Sequence, residues 1–307
     1  DGVSGTSIDG CISRDVLKVS ELNDNVNRLD VNPKTLEWFL SLPEEQASSN
    51  EKALVRTAQV KDVLMVESDD ATQSYYTFSL REERLEVFRD IIIMTYPFKD
   101  TDLDYWLRIK GFKVNHLELS RKASTGSIGD FSCRQHSGEY SGKAFKDLIE
   151  LVEVPRRGKE AHYGDRENHF SVAQSRALKR ENRHSHHLHQ IRSHLRTLFR
   201  NHRDASRFCT PDDFMFTCLK ECVPLWSNAT QKLPRSFIGE GTWVPYNERG
   251  VNDYDRKHSL AFLFNVYPFT VVEKTVNAFG MDYNRERYAL YVLIQWVWRS
   301  AIRKGER

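Results

Sequence analysis

The residues best suited to chemistry lie near the end of this 307-residue chain. Gln295, Arg299 and Arg303 recur at i, i+4 and i+8, a spacing that sets all three along one helix face. Arginine suits a transferring phosphoryl group, because its planar fork meets phosphate oxygens in pairs and its charge is permanent. The plain alternative is a solvated basic helix end whose cations complement the dipole. A second group is Asn247, Arg249, Asn252, Asp255 and Arg256. It lies between two strand-like stretches. That predicts a loop at a strand's C-terminal end, where α/β sheets place ligands. An ordinary polar surface loop is the competing reading.

A third group spans residues 176–207. Lys179, Arg180, Arg183, Arg192, Arg196, Arg200 and Arg203 are interleaved there with six histidines, opposed only by Glu181 and Asp204. Such a stretch is an electrostatic footprint for a phosphate backbone, or else a solvated basic face. Histidines near Cys209, Cys218 and Cys222 raise the question of zinc. Cys-x3-Cys lacks a second Cys or His pair at finger spacing, so no metal is expected. Gly138 to Ala144 echoes a phosphate loop but is one spacer residue short, with Ala144 in place of the Mg²⁺-binding hydroxyl.

These groups need elements to hold them. Asn32-Pro33 predicts a helix start, with Leu36, Phe39 and Leu40 on one face up to Leu42. Glu44 to Asn50 reads as a linker. Lys61 to Val66 and Tyr75 to Phe78 read as a hairpin. Asp90 to Tyr96 is an unbroken apolar run, the pattern of a strand buried on both faces. A cap at Asp100-Thr101-Asp102, helical spacing through Ile109, a stop at Gly111 and alternation in Phe112 to Leu117 complete a β-α-β unit. Residues 171–225 read as helical. Phe237 to Val244 and Ser259 to Phe264 read as strands, and Phe269 to Phe279 and Arg285 to Arg303 as helices. The fold class is α/β with a helical insertion at about 165–230.

Composition sets the outer bounds. The chain is 39% hydrophobic and 29% charged, with a formal charge of +2. A sizeable core is possible, and only local clustering of charge could point to a polyanionic partner. No apolar run approaches the roughly 18 residues of a membrane helix. Five scattered cysteines fit reduced thiols in a cytoplasm. A start at Asp1 and an end straight after an amphipathic segment suggest a piece of a longer chain.

Four segments together resemble one family. They are Val87 to Phe98, Gly164-Asp165-Arg166 running to Ser175, Asn247 to Arg256, and Tyr288 to Arg303 with its Gln295-Trp296-Val297-Trp298-Arg299-Ser300 core. They resemble the DEAD/DEAH-like superfamily-two helicase proteins of prophages, plasmids and other mobile elements, over about residues 75–307. The resemblance implies a RecA-like second helicase lobe at 86–307, preceded by a small α+β segment at 1–85. It implies that Gln295, Arg299 and Arg303 act on ATP and Mg²⁺ held by a first lobe absent here. It also implies that the 247–256 segment and the Arg192, Arg196, Arg200 stretch face nucleic acid, DNA rather than RNA, in a bacterial host's cytoplasm. Two departures weaken the role of Arg303: it comes one residue late, and Trp298 stands where the family motif has Gly. The alternative is a nucleic-acid-binding or replication-associated module without catalysis.

No intact phosphate loop or acidic metal motif is present, so the isolated chain is expected to show no nucleic-acid-stimulated ATP hydrolysis. A steady-state phosphate-release assay checks this, and measurable turnover would refute it.

Overall fold

The computed structural model describes residues 5–67, 74–95, 97–121, 131–136, 146–151, 155–156, 159–160, 170–180, 195, 211–226, 242–248 and 253–306. The chain divides into two units, Asp1–Glu139 with Pro268–Asn284, and Tyr140–Tyr267 with Arg285–Arg307. The division expected from sequence falls at 85/86.

The first unit is built on an antiparallel meander, β1 (Leu17–Asn23), β2 (Val26–Val31), β3 (Lys61–Glu67) and β4 (Ser74–Leu80), paired in that order. The expected hairpin is β3–β4, in register from Lys61 opposite Leu80 to Glu67 opposite Ser74. Alternation along β3 sends side chains to two cores. Val63 joins Ile8, Leu29, Phe39 and Leu54 from helices α1 (Gly5–Ser13), α2 (Pro33–Ser41) and α3 (Ser49–Val60) and from β2. Leu64 and Val66 join Val26, Tyr75, Ala278 and Phe279 on the other face.

Helix α2 starts as expected, with Pro33 at its first turn and the Asn32 side chain accepting from the Lys34 N–H. The linker expected at Glu44 to Asn50 overlaps the first residues of helix α3. Its signal was a capping box, Ser48 with Glu51 three residues on: the Ser48 N–H donates to Glu51 Oε2 at 2.7 Å and the Glu51 N–H to Ser48 Oγ at 3.3 Å. One turn, α4 (Glu83–Glu86), precedes α5 (Asp102–Ile109). Helix α5 matches its expected bounds, capped by Thr101 and stopped at Gly111 with φ 73°.

Among the described residues the expected β-α-β unit does not form. Residues 91–95 pair with no strand among the described residues, and Ile92 and Met94 are 87% and 91% exposed. After α5, residues 112–116 are irregular. β5 (Leu117–Arg121) pairs antiparallel with β6 (Phe131–Gln135) instead. The apolar run met the compositional rule for a buried strand but not its requirement, a hydrogen-bonded neighbour.

The second unit holds a two-residue ribbon of β7 (Pro155–Arg156) and β8 (Lys159–Glu160), helices α6 (Val172–Arg180) and α7 (Val223–Trp226), and an all-parallel sheet. That sheet has β9 (Phe214–Thr217) in its centre, β10 (Thr242–Trp243) on one side and β11 (Ser259–Phe262) on the other. β9 corrects the expectation of helix through 225. Its four residues are fully buried, and hydrogen bonding on both edges outweighs any helical preference. Phe214 and Phe216 pack with Ala261 and Leu263 on one face. Met215 packs with Val244 and Trp296 on the other, beside Tyr254, Leu260 and Phe262.

Helix α8 (Thr270–Ala278) agrees with expectation to within a residue, whereas α9 (Arg285–Val297) ends six residues before Arg303. Trp296 is fully buried, meets the Phe262 ring edge-on at 5.4 Å, and donates its indole N–H to the Val244 carbonyl at 3.2 Å. Trp296→Ala is therefore expected to destabilise the second unit by roughly 3–5 kcal/mol, and Trp296→Phe by less. Urea unfolding measures both; a loss under about 1 kcal/mol for the alanine variant would contradict this packing.

Candidate functional site: the amino edge of the parallel sheet

The three parallel strands define two unlike edges. At the amino edge, residues Pro211–Asp213 lead into β9 and residues 253–258 lead into β11. One backbone and one side-chain bond tie these lead-ins together. The His258 N–H donates to the Asp213 carbonyl at 3.0 Å, and the Lys257 ammonium donates to the Asp212 carbonyl.

The chain end joins them. The last i to i−4 bond of α9 runs from Trp298 N–H to Ile294 O at 2.8 Å. Arg299 and Ser300 then make tighter i to i−3 bonds, and Ser300 is extended, φ −80° and ψ −171°. The Ala301 N–H thereby reaches the Lys257 carbonyl at 3.0 Å. A short 3₁₀ turn, Ala301–Lys304, follows, and Gly305 closes it at φ 76°. Gln295, Arg299 and Arg303 therefore do not share one helical face. Gln295 is exposed on the helix, Arg299 is half-buried in the turn, and Arg303 is exposed on the 3₁₀ turn. The break follows from tertiary bonding: Trp296 is held by the sheet while Ala301 is held by the β11 lead-in.

This turn brings two sequence-distant groups together. The Lys304 ammonium lies 2.9 Å from the Asp255 carboxylate. That hydrogen bond, then the charges of Lys304, Arg256 and Arg303, hold the Asp255 carboxyl below its ordinary range. The Tyr254 phenol is pushed up by desolvation and by Glu248 and Asp253, against the opposing charge of Arg299. His258 Nε2 stands 3.9 Å from Glu306. One edge thus collects Arg256, Lys257, Arg299, Arg303 and Lys304, interleaved with Asp253, Asp255 and Glu306. Lys257, His258 and Lys304 were not among the expected site residues; Lys257 and Lys304 directly follow Arg256 and Arg303, which were.

The 247–256 segment is split between the edges, which corrects its reading as one carboxyl-end loop. Asn247 lies at the carboxyl edge, just past β10, where the Tyr246 ring packs on Phe264 at 5.1 Å. Asp255 and Arg256 lie at the amino edge. Arg249 and Asn252, and Arg192, Arg196 and Arg200 of the basic stretch, are outside the described residues. At the carboxyl end of β9, Thr217 is fully buried and its Oγ1 has no hydrogen-bond partner among the described residues. The neighbouring Cys218 thiol is pushed up to about 12, first by burial and then by Cys222. It is protonated and unreactive at neutral pH. Among the described residues, no three His, Cys, Asp or Glu side chains gather as a metal site, and no helix is long and apolar enough to cross a membrane.

Comparison with known proteins matches residues 143–307 to a family model described as the YonV C-terminal Rossmann-like domain. The SPbeta prophage-derived uncharacterized protein YonV of Bacillus subtilis (strain 168) is 22% identical over 219 residues, which cover 71% of this chain and 48% of that protein. The matched residues thus span about half the length of this curated relative. No solved structure matches the chain. The matched region carries the parallel sheet, and its class is a Rossmann-like α/β domain with mixed sheets and helices.

The clamp between Asp255 and Lys304 has a pH consequence. The folded carboxyl is depressed below its ordinary 3.8, so its contribution is fully present above that value and is lost as pH falls through the depressed one. Lys304→Met removes the first cause. The Asp255 titration, followed by carboxyl NMR, should then move upward; an unmoved midpoint would show that the contact does not hold in solution.

Proposed function

We propose, on the premise that the chain belongs to the family of YonV C-terminal Rossmann-like domains, that it is a nucleic-acid-binding, replication-associated module of a mobile-element protein. The observation that carries this reading is the convergence of Arg256, Lys257, Arg299, Arg303 and Lys304 on one edge of the parallel sheet, from segments more than 40 residues apart. Arg256 and Arg303 are exposed there. Arginine at such an edge contacts phosphate oxygens and so positions a strand without reading its sequence. The basic stretch at 176–207 adds backbone contacts in the same reading. The relative's prophage origin favours DNA over RNA and a bacterial host cell.

The finer reading is a RecA-like second lobe whose Gln295, Arg299 and Arg303 serve ATP and Mg²⁺ bound on another lobe. It requires those arginines to face the nucleotide. Open parallel sheets receive ligands at their carboxyl edge, and both arginines sit at the amino edge. That placement favours the binding module over the motor lobe.

Fluorescence anisotropy with labelled single-stranded and duplex DNA, at graded salt, tests the proposal. Log affinity should fall linearly with log salt, by about 0.7–0.9 per phosphate neutralised. Arg256→Ala and Arg303→Ala should each lower that slope by about one phosphate, and alanine at Arg192, Arg196 and Arg200 should lower it further. No binding at low salt, or slopes unchanged in every variant, would overturn the proposal.

A further inference from the structure

At the amino edge of the parallel sheet one carboxylate sits among cations drawn from two segments. The Lys304 ammonium lies 2.9 Å from Asp255 Oδ2 and donates to it. Arg256 follows Asp255 in the chain and Arg303 precedes Lys304, and the charges of both act on the same carboxyl. Backbone bonds hold the two segments together independently of this ion pair. The Ala301 N–H reaches the Lys257 carbonyl at 3.0 Å, and the Glu306 N–H returns to the Ala301 carbonyl at 3.3 Å across the Gly305 turn. Breaking the pair therefore frees a side chain without moving the turn that carries it. The Lys304 and Asp255 side chains are 44% and 32% exposed, so an anion from solvent reaches both.

We infer that Lys304, Arg256 and Arg303 form one place for a backbone phosphate of a nucleic-acid strand, which Asp255 fills until the strand displaces it. The inference rests on the nucleic-acid reading above and adds to it a residue that opposes binding. A carboxylate offers lysine the same kind of charge-assisted acceptor as a phosphate oxygen, so the exchange leaves no cation unpaired. It costs the strand the contact between Lys304 and Asp255, and an exposed pair of this kind accounts for about two- to fivefold in an equilibrium. The other carboxylates of this edge are placed differently. Glu306 lies 3.9 Å from His258, and Asp253 is exposed beside Tyr254. Asp253→Asn thus removes the same charge from the edge without releasing Lys304.

Fluorescence anisotropy of the 307-residue chain with a labelled single-stranded oligonucleotide, at one fixed salt concentration, tests this, with far-UV circular dichroism confirming the fold of each variant. Asp255→Asn should tighten binding by about two- to fivefold more than Asp253→Asn does. In a Lys304→Met background the two substitutions should have equal effects, because no ammonium is left to release. Exchanging chloride for inorganic phosphate at equal ionic strength should change the wild-type affinity by less than about twofold. Asp255→Asn binding no tighter than Asp253→Asn, or an advantage that persists without Lys304, would overturn the inference, while binding by the wild type would leave the nucleic-acid reading standing. A larger loss in phosphate would assign the place to the free anion and overturn its assignment to a strand. Absence of binding by every variant would overturn the reading and the inference with it.

Discussion

The second unit is organised by the burial of one side chain, Trp296. An indole that loses all contact with water must still satisfy its N–H, and the Val244 carbonyl does so. The same ring lies on Met215 and Phe262, so it touches all three parallel strands or their immediate extensions. Once the indole is fixed on the sheet, the helix carrying it has one more residue before it must turn. Ser300 and Ala301 make the turn by reaching the lead-in to β11. The positions of Arg299, Arg303 and Lys304 follow from that anchor rather than from helical periodicity. Their nearness to Asp255 and Arg256 is a packing result before it is an electrostatic one.

The first unit solves a related problem with charge. Asp62 on β3 is buried, yet it opens a strand whose neighbours are apolar. Lys110, just past α5, reaches it at 2.6 Å, and Arg81, just past β4, lies at 3.8 Å. A buried carboxylate left alone would be strongly destabilising, whereas a paired one fixes the geometry of whatever brings its partners. Here it fixes the end of α5 against the sheet. The Tyr105 ring on that helix stacks on Tyr283 at 4.9 Å, and its hydroxyl donates to the Asp282 carbonyl. The returning segment Pro268–Asn284 is thus held to the unit at the sheet face by Ala278 and Phe279 and at α5 by Tyr283.

Local signals carried the sequence reading where the elements are decided locally. The Asn32-Pro33 start, the Thr101 cap, the Gly111 stop and the β3–β4 hairpin were legible because side chain and backbone settle them within a few residues. Phe214–Thr217 was not legible, because three apolar residues and a threonine have no period of their own. Only its two ladder neighbours, from residues 242–243 and 259–262, define it as a strand. The run at Asp90–Tyr96 differs in the opposite sense: it has strand composition, but among the described residues no strand pairs with it. The candidate site was legible as residue types, since Arg256, Arg299 and Arg303 were all picked out. Its geometry was not, because the break after Val297 depends on bonds to Val244 and Lys257, some 40–50 residues away.

The split of the 247–256 segment bears most directly on function. A parallel sheet offers ligands its carboxyl edge, and among the described residues that edge carries Asn247, aromatic rings and the buried Thr217 hydroxyl, while Arg299 and Arg303, on which the phosphoryl-transfer reading relied, lie at the other. The cations lie at the opposite edge, interleaved with carboxylates. A phosphate approaching Lys304 must compete with Asp255, which already holds that ammonium. The exchange replaces one anion by another, so each contact gains little and a usable affinity needs several of them along a strand. That arithmetic suits an extended polyanion, which brings many phosphates at once and releases counterions as it binds. It suits a single nucleotide less well, because one triphosphate brings only a few phosphates to the same exchange. The interleaving of charge at the amino edge, more than the number of arginines, is what separates the nucleic-acid reading from the phosphoryl-transfer one.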